Sequence, residues 1–170
     1  MTKLRPLSKA GPSINAECIE YSDRTSLHIS ERGVGATFLN PRRKQLRKIR
    51  YDGCYNETPR KRQADYIVGM AQVVDVIVEL KGSDLKHAVT QIEITLEAWA
   101  ADPIRYPRIV CLIVFGRIEA KRKGVGKIPR MGSKIGTIER EFLLTHETLL
   151  WVRESGSEKF RFNKLLGKSS

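Results

Sequence analysis

The chain has 170 residues, enough for a domain with a sizeable core, and 41% of them are hydrophobic, the proportion of a soluble globular protein. Its 31 lysines and arginines against 19 acids leave a formal charge of +12, which favours a polyanionic partner: nucleic acid first, an anionic membrane surface second. The longest apolar run, Ile109 to Phe115, is too short to span a bilayer. The basic start, Met1 to Gly11, lacks the apolar stretch of a secretory signal. Cys18, Cys54 and Cys111 are widely spaced and form neither a CxxC nor a zinc-finger pattern. Without a disulfide framework, a reducing, cytoplasmic setting is expected.

Residues 1–13 read as a flexible basic arm and residues 14–170 as one domain. In the first part of that domain only Ser26-Leu-His-Ile-Ser alternates as a strand does, and no helix is legible over residues 14–40. Residues 41–51 read as a basic strand, closed by the turn signal Asp52-Gly53. Asp65 to Val68 and Val73 to Leu80 are rich in valine and isoleucine and predict strands. Gly82-Ser83-Asp84 then offers a strand exit and a helix cap. The helix runs to Ala100, with Leu85, Ala88, Val89, Ile92, Leu96 and Trp99 as its apolar stripe. Arg108 to Ile118 reads as a strand covered on both faces. A basic, glycine-rich loop is expected over residues 119–136, followed by a hairpin over residues 140–166 that turns at Ser155-Gly156-Ser157. Gly124-Val-Gly-Lys127 is not a nucleotide-binding GxxxxGK[ST] loop and is read as part of a basic loop that grips nucleic acid. The fold class is therefore α/β, a mixed central sheet flanked by helices with a basic β extension at its C-terminal end.

Four charges, Asp65, Asp75, Glu79 and Lys81, interrupt the apolar strands, and buried charge is costly unless it is paired or binds metal. Alternate strand residues share a face, so Asp75, Ile77, Glu79 and Lys81 point the same way. If the two strands pair antiparallel through a short loop over residues 70–74, Asp65 lies opposite Glu79, with Cβ atoms roughly 5 Å apart. Two carboxylates that close repel each other unless a cation sits between them, and hard oxygen ligands suit Mg²⁺ or Mn²⁺. The Leu80 carbonyl is a further candidate ligand. Lys81 would position or activate a water, or stabilise charge on a phosphate. Asp75 faces Gly69 in this register, roughly 13 Å along the strand from Glu79, too far to share the ion.

An acid, 13 residues, then Glu79-Leu80-Lys81 resembles the signature of the PD-(D/E)XK nuclease superfamily. The helix and apolar strand that follow match its restriction-endonuclease-like αβββαβ core, over about residues 45–118. The resemblance implies a Mg²⁺-dependent nuclease that cuts phosphodiesters with metal-activated water. Asp65 and Glu79 would be metal ligands and Lys81 the catalytic lysine. Gln91 is similar to a helix glutamine that orients water or phosphate in some branches. Ala64 stands where the motif has proline, and the acid that many members carry on a first helix has no plain counterpart. Glu31 and Asp52 are the candidates, and Asp52 is preferred because it ends a strand just before the hairpin. Two basic clusters would hold the nucleic acid, DNA being the expected substrate. One is Arg42, Arg43, Lys44, Arg47, Lys48 and Arg50 with Arg60, Lys61 and Arg62, running into the acid pair; the other is Arg117, Lys121, Arg122, Lys123, Lys127, Arg130 and Lys134. A homodimer or a subunit of a larger phage or defence assembly is expected. The alternative is a nucleic-acid-binding protein on the same fold that does not cut.

Overall fold

The computed structural model describes residues 15–57, 62–82, 84–116, 131–156 and 158–167. Among these residues nine strands form two mixed sheets: β1 (Ile19–Ser22), β2 (Ser26–Glu31), β3 (Val34–Leu39), β4 (Leu46–Arg50), β5 (Tyr66–Met70), β6 (Val74–Lys81), β7 (Arg108–Phe115), β8 (Leu150–Glu154) and β9 (Phe160–Arg161). The larger sheet has the order β1-β4-β5-β6-β7-β8, antiparallel from β1 to β6 and parallel from β6 to β8. The smaller sheet has the order β2-β3-β9. Helix α1 (Leu85–Ala100) connects the parallel pair β6 and β7, and α2 (Met131–His146) precedes β8. A short α3 (Phe162–Leu165) follows β9.

Period-two alternation in β6 separates two cores. Val74, Val76, Val78 and Leu80 pack with Ile29, Ala36, Phe38 and Phe160 of the smaller sheet. On the opposite face Ile77 packs with Ile92 and Trp99 of α1 and Phe142 of α2. Both faces of β6 and β7 are covered, which is why their sequences read as nearly continuous apolar runs. The helix starts where the sequence predicts, with the Asp84 carboxylate accepting a hydrogen bond from the His87 N–H.

Asp75, fully buried, belongs to the helix-side core. It accepts hydrogen bonds from Arg47 Nη2 at 2.9 and 3.0 Å, from Trp99 Nε1 at 3.0 Å and from the Tyr106 N–H at 2.7 Å. The Arg47 guanidinium lies 3.8 Å from the centre of the Tyr106 ring. Gly69, opposite Asp75 as the register predicts, leaves room for this arrangement. A Cβ there would lie 2.5 Å from Asp75 Oδ1 and 2.8 Å from the Tyr106 ring.

Several expectations change. Residues 14–40 are mostly β-structure, and among the described residues no α-helix precedes β4, so the first helix of an αβββαβ order is not among them. The C-terminal hairpin is replaced by α2, β8 and β9. Ile135, Ile138 and Phe142 recur at helical spacing and pack into the helix-side core, a period that Gly132, Lys134 and Gly136 mask in the sequence. β8 lies parallel to β7, while β9 pairs with β3 in the other sheet, so the two do not form a hairpin. The cysteine reading is also corrected. Cys18 and Cys54, 36 residues apart, form a disulfide that ties the start of β1 to the turn after β4. Cys111 is free and buried, as its apolar neighbours suggest. The arm over residues 1–13 and most of the expected basic loop lie outside the described residues.

Candidate functional site

Asp65 immediately precedes β5. Because Tyr66 pairs with Val78, the antiparallel register continues Asp65 toward Glu79. Two side chains of α1 fix the segment leading to it. The Ala64 N–H donates to Thr95 Oγ1 at 2.8 Å, and Gln91 Nε2 donates to the Gln63 carbonyl at 2.9 Å. Asp65 in turn accepts from the Leu80 N–H at 2.7 Å. The acid pair therefore rests on β6 and α1, elements anchored in the core.

Glu79 is 2% exposed, and its Oε2 is buried without a hydrogen-bond partner. An unpartnered buried carboxylate oxygen is expensive. Lys81 Nζ lies 3.9 Å from Glu79 Oε1, too long for a hydrogen bond, and donates instead to Gln91 Oε1 at 3.0 Å. Gln91 is itself buried, not on an exposed helix face. Its amide thus links the lysine to the chain just before Asp65.

Burial pushes the Glu79 carboxyl up to about 9; the Asp65 charge adds to the rise, and the Lys81 charge opposes it. Burial likewise pushes Asp65 up to about 7, against the pull of the Leu80 N–H, and the charges of Glu31 and Asp52 add to the rise. These carboxyls lack the positive charge that would keep both ionised. A divalent cation would supply that charge, and the orphaned Glu79 Oε2 is an oxygen that could ligate it. The donor set fits Mg²⁺ or Mn²⁺: two carboxylates and the Leu80 carbonyl, all hard oxygens. Among the described residues no three or more His, Cys, Asp or Glu side chains gather into a ready-made metal cage, so water would complete the coordination.

Both candidates for a third acid, Glu31 more than Asp52, add through their charge to the rise of the Asp65 carboxyl. Asp52 is exposed in the turn after β4, and burial followed by the Glu31 charge raises its carboxyl. Glu31 ends β2, and the tip of the β2–β3 hairpin lies at the acid end of the larger sheet, where a Cβ on Gly116 would meet Val34 Cγ2 at 3.2 Å and the Gly82 carbonyl at 3.5 Å. No local pattern announces that residues 31 and 65 lie at the same end of the sheet.

The basic residues divide differently from the expectation. Arg47 is 3% exposed and committed to Asp75, so it is a core residue and not a nucleic-acid contact. Arg42, Arg43 and Lys44 are exposed but precede β4, whereas Asp65 lies beside the far end of that strand, next to Arg50. They therefore do not run into the acid pair. Arg43 Nε donates to the Asp23 carbonyl, and Lys48 pairs with Glu20 at 2.8 Å. Arg62 is exposed, 3.2 Å from His87 Nε2 and one residue before Gln63. Arg60, Lys61, Arg117, Lys121, Arg122, Lys123, Lys127 and Arg130 lie outside the described residues. Arg32 and Arg50, both exposed, stand at the acid end instead.

No family model, no curated protein and no solved structure matches the chain. Among the described residues no helix is long and apolar enough to cross a membrane.

Proposed function

We propose that the chain is a Mg²⁺- or Mn²⁺-dependent nuclease of the restriction-endonuclease-like fold, hydrolysing phosphodiester bonds in DNA. The observation that carries this reading is the buried, unpartnered oxygen of Glu79 beside Asp65, with Lys81 held next to them by Gln91. The order β4-β5-β6-α1-β7, three antiparallel strands followed by a crossover helix and a parallel strand, supports the fold assignment. A bound divalent ion would polarise the phosphate and lower the pKa of water. Asp65, Glu79 and the Leu80 carbonyl would hold it. The Lys81 ammonium stabilises charge developing on the phosphate, and the Gln91 amide fixes where that ammonium sits. Thr95 and the Gln63 carbonyl tie the site to α1, so the lysine and the acids keep their geometry before substrate arrives. Cutting both strands of a duplex with one site per chain calls for two copies, so a homodimer on the substrate belongs to this reading.

A second reading, a nucleic-acid-binding protein that does not cut, draws support from the lack of a three-acid cage among the described residues. One assay separates them. The purified protein is incubated with duplex, branched and single-stranded DNA and with RNA, in Mg²⁺, in Mn²⁺ and in a chelator. The nuclease reading expects cleavage of DNA in either metal and none in the chelator. Salt-sensitive binding without cleavage in any condition supports the second reading and rejects the first.

A further inference from the structure

The β2–β3 hairpin tip couples an acid of the site to a nearly free arginine. A Cβ on Gly116 would lie 3.2 Å from Val34 Cγ2 and 3.5 Å from the Gly82 carbonyl, so the hairpin tip sits where β6 and β7 end. Glu31, whose charge adds to the rise of the Asp65 carboxyl, is at that tip, and Arg32 follows it directly. Arg32 and Gly33 form the two-residue turn, with φ of 47° and 81°. Such a turn favours Asn-Gly or Asp-Gly, because few other residues with a Cβ tolerate positive φ. Arginine at the first position is unfavourable there, and among the described residues no close contact offsets it. Its side chain is 92% exposed, and among the described residues its ion pair is a long one of 3.9 Å to the adjacent Glu31.

We infer that Arg32 is a DNA-phosphate-binding residue, held at the hairpin tip to bring the backbone to the acid end of the sheet. The exposed Glu31 and Asp52 make that end repel a polyanion. A guanidinium one residue from Glu31 offsets the repulsion and can take a phosphate with two parallel hydrogen bonds. Arg50, exposed and paired in register with Tyr66, offers a second positive charge on the strand beside Asp65. The inference rests on the nuclease reading for the identity of the ligand and not for any step of cleavage.

The test is binding of a labelled DNA duplex in a chelator, over a range of salt, for the full chain. Arg32→Asn is expected to weaken binding about three- to tenfold at low salt and to reduce the salt slope by about one ion. Arg32→Lys should recover part of the affinity. Arg105→Gln is the control, because Arg105 is exposed at the opposite end of the sheet, just before β7. It should bind as the wild type does. The thermal midpoint of Arg32→Asn should equal or exceed that of the wild type, since asparagine suits the turn, so lost binding would not reflect unfolding. Arg32→Asn binding with wild-type affinity and slope overturns the inference, as does a wild type that binds no DNA. Arg32-dependent binding without cleavage in Mg²⁺ or Mn²⁺ overturns the nuclease reading alone.

Discussion

Lys81→Ala is expected to lower metal-dependent cleavage by about 10²- to 10³-fold while leaving the protein folded, the effect of removing one preorganised charge from a transition state. Lys81 ends β6 with a side chain 26% exposed, so truncating it opens no core cavity. Its polar contacts are Gln91 at 3.0 Å and, more distantly, Glu79. The lysine charge opposes the rise of Glu79, so its loss also makes ionising that carboxylate harder. Part of the defect should therefore yield to higher Mg²⁺, and the remainder should persist at saturating metal. Steady-state cleavage rates across a Mg²⁺ titration, with circular dichroism as the folding control, measure both parts. Undiminished cleavage by a folded Lys81→Ala protein removes the lysine from the mechanism.

Asp75→Ala is expected to cost about 3–5 kcal/mol of stability, because it leaves the Arg47 charge buried without a partner. Asp75 is fully buried and engages Arg47, Trp99 and Tyr106 together, and Arg47 Nε is already without a hydrogen-bond partner. The substitution also frees Trp99, which anchors the end of α1 to β6 two turns beyond Gln91. Loosening that anchor should disturb the Gln91 and Lys81 contact, so cleavage should fall along with stability. Urea unfolding followed by circular dichroism gives the loss. A loss below about 1 kcal/mol would mean that Arg47 finds solvent or another partner once Asp75 is gone.

Strand parity alone separated the roles of these acids. The alternation that puts Asp75 opposite Gly69 and Asp65 toward Glu79 is local, and the β5–β6 register follows it. The α1 stripe and the Asp84 cap were legible for the same reason: they depend on residues a few positions apart. The errors concern partners distant in sequence. Arg47 reads as a member of a basic run, and only the folded sheet brings it to Asp75, 28 residues on. Glu31 sits in a segment without strong pattern, and a hairpin from a second sheet carries it to the acid end of the larger sheet. The pairing of Cys18 with Cys54 is equally non-local. Gln91 lies off the apolar stripe, yet it is buried because its amide has two partners, Lys81 and the Gln63 carbonyl. Helix α2 is not legible because glycines and a lysine interrupt its apolar period.

The central claim is that Asp65 and Glu79 together hold a divalent cation. Mn²⁺ binding, followed by the loss of its free-ion electron paramagnetic resonance signal, tests it without any substrate. The wild type should bind Mn²⁺ and release it to excess Mg²⁺, and Glu79→Gln should bind far more weakly while remaining folded. Equal Mn²⁺ affinity in wild type and Glu79→Gln would contradict the claim.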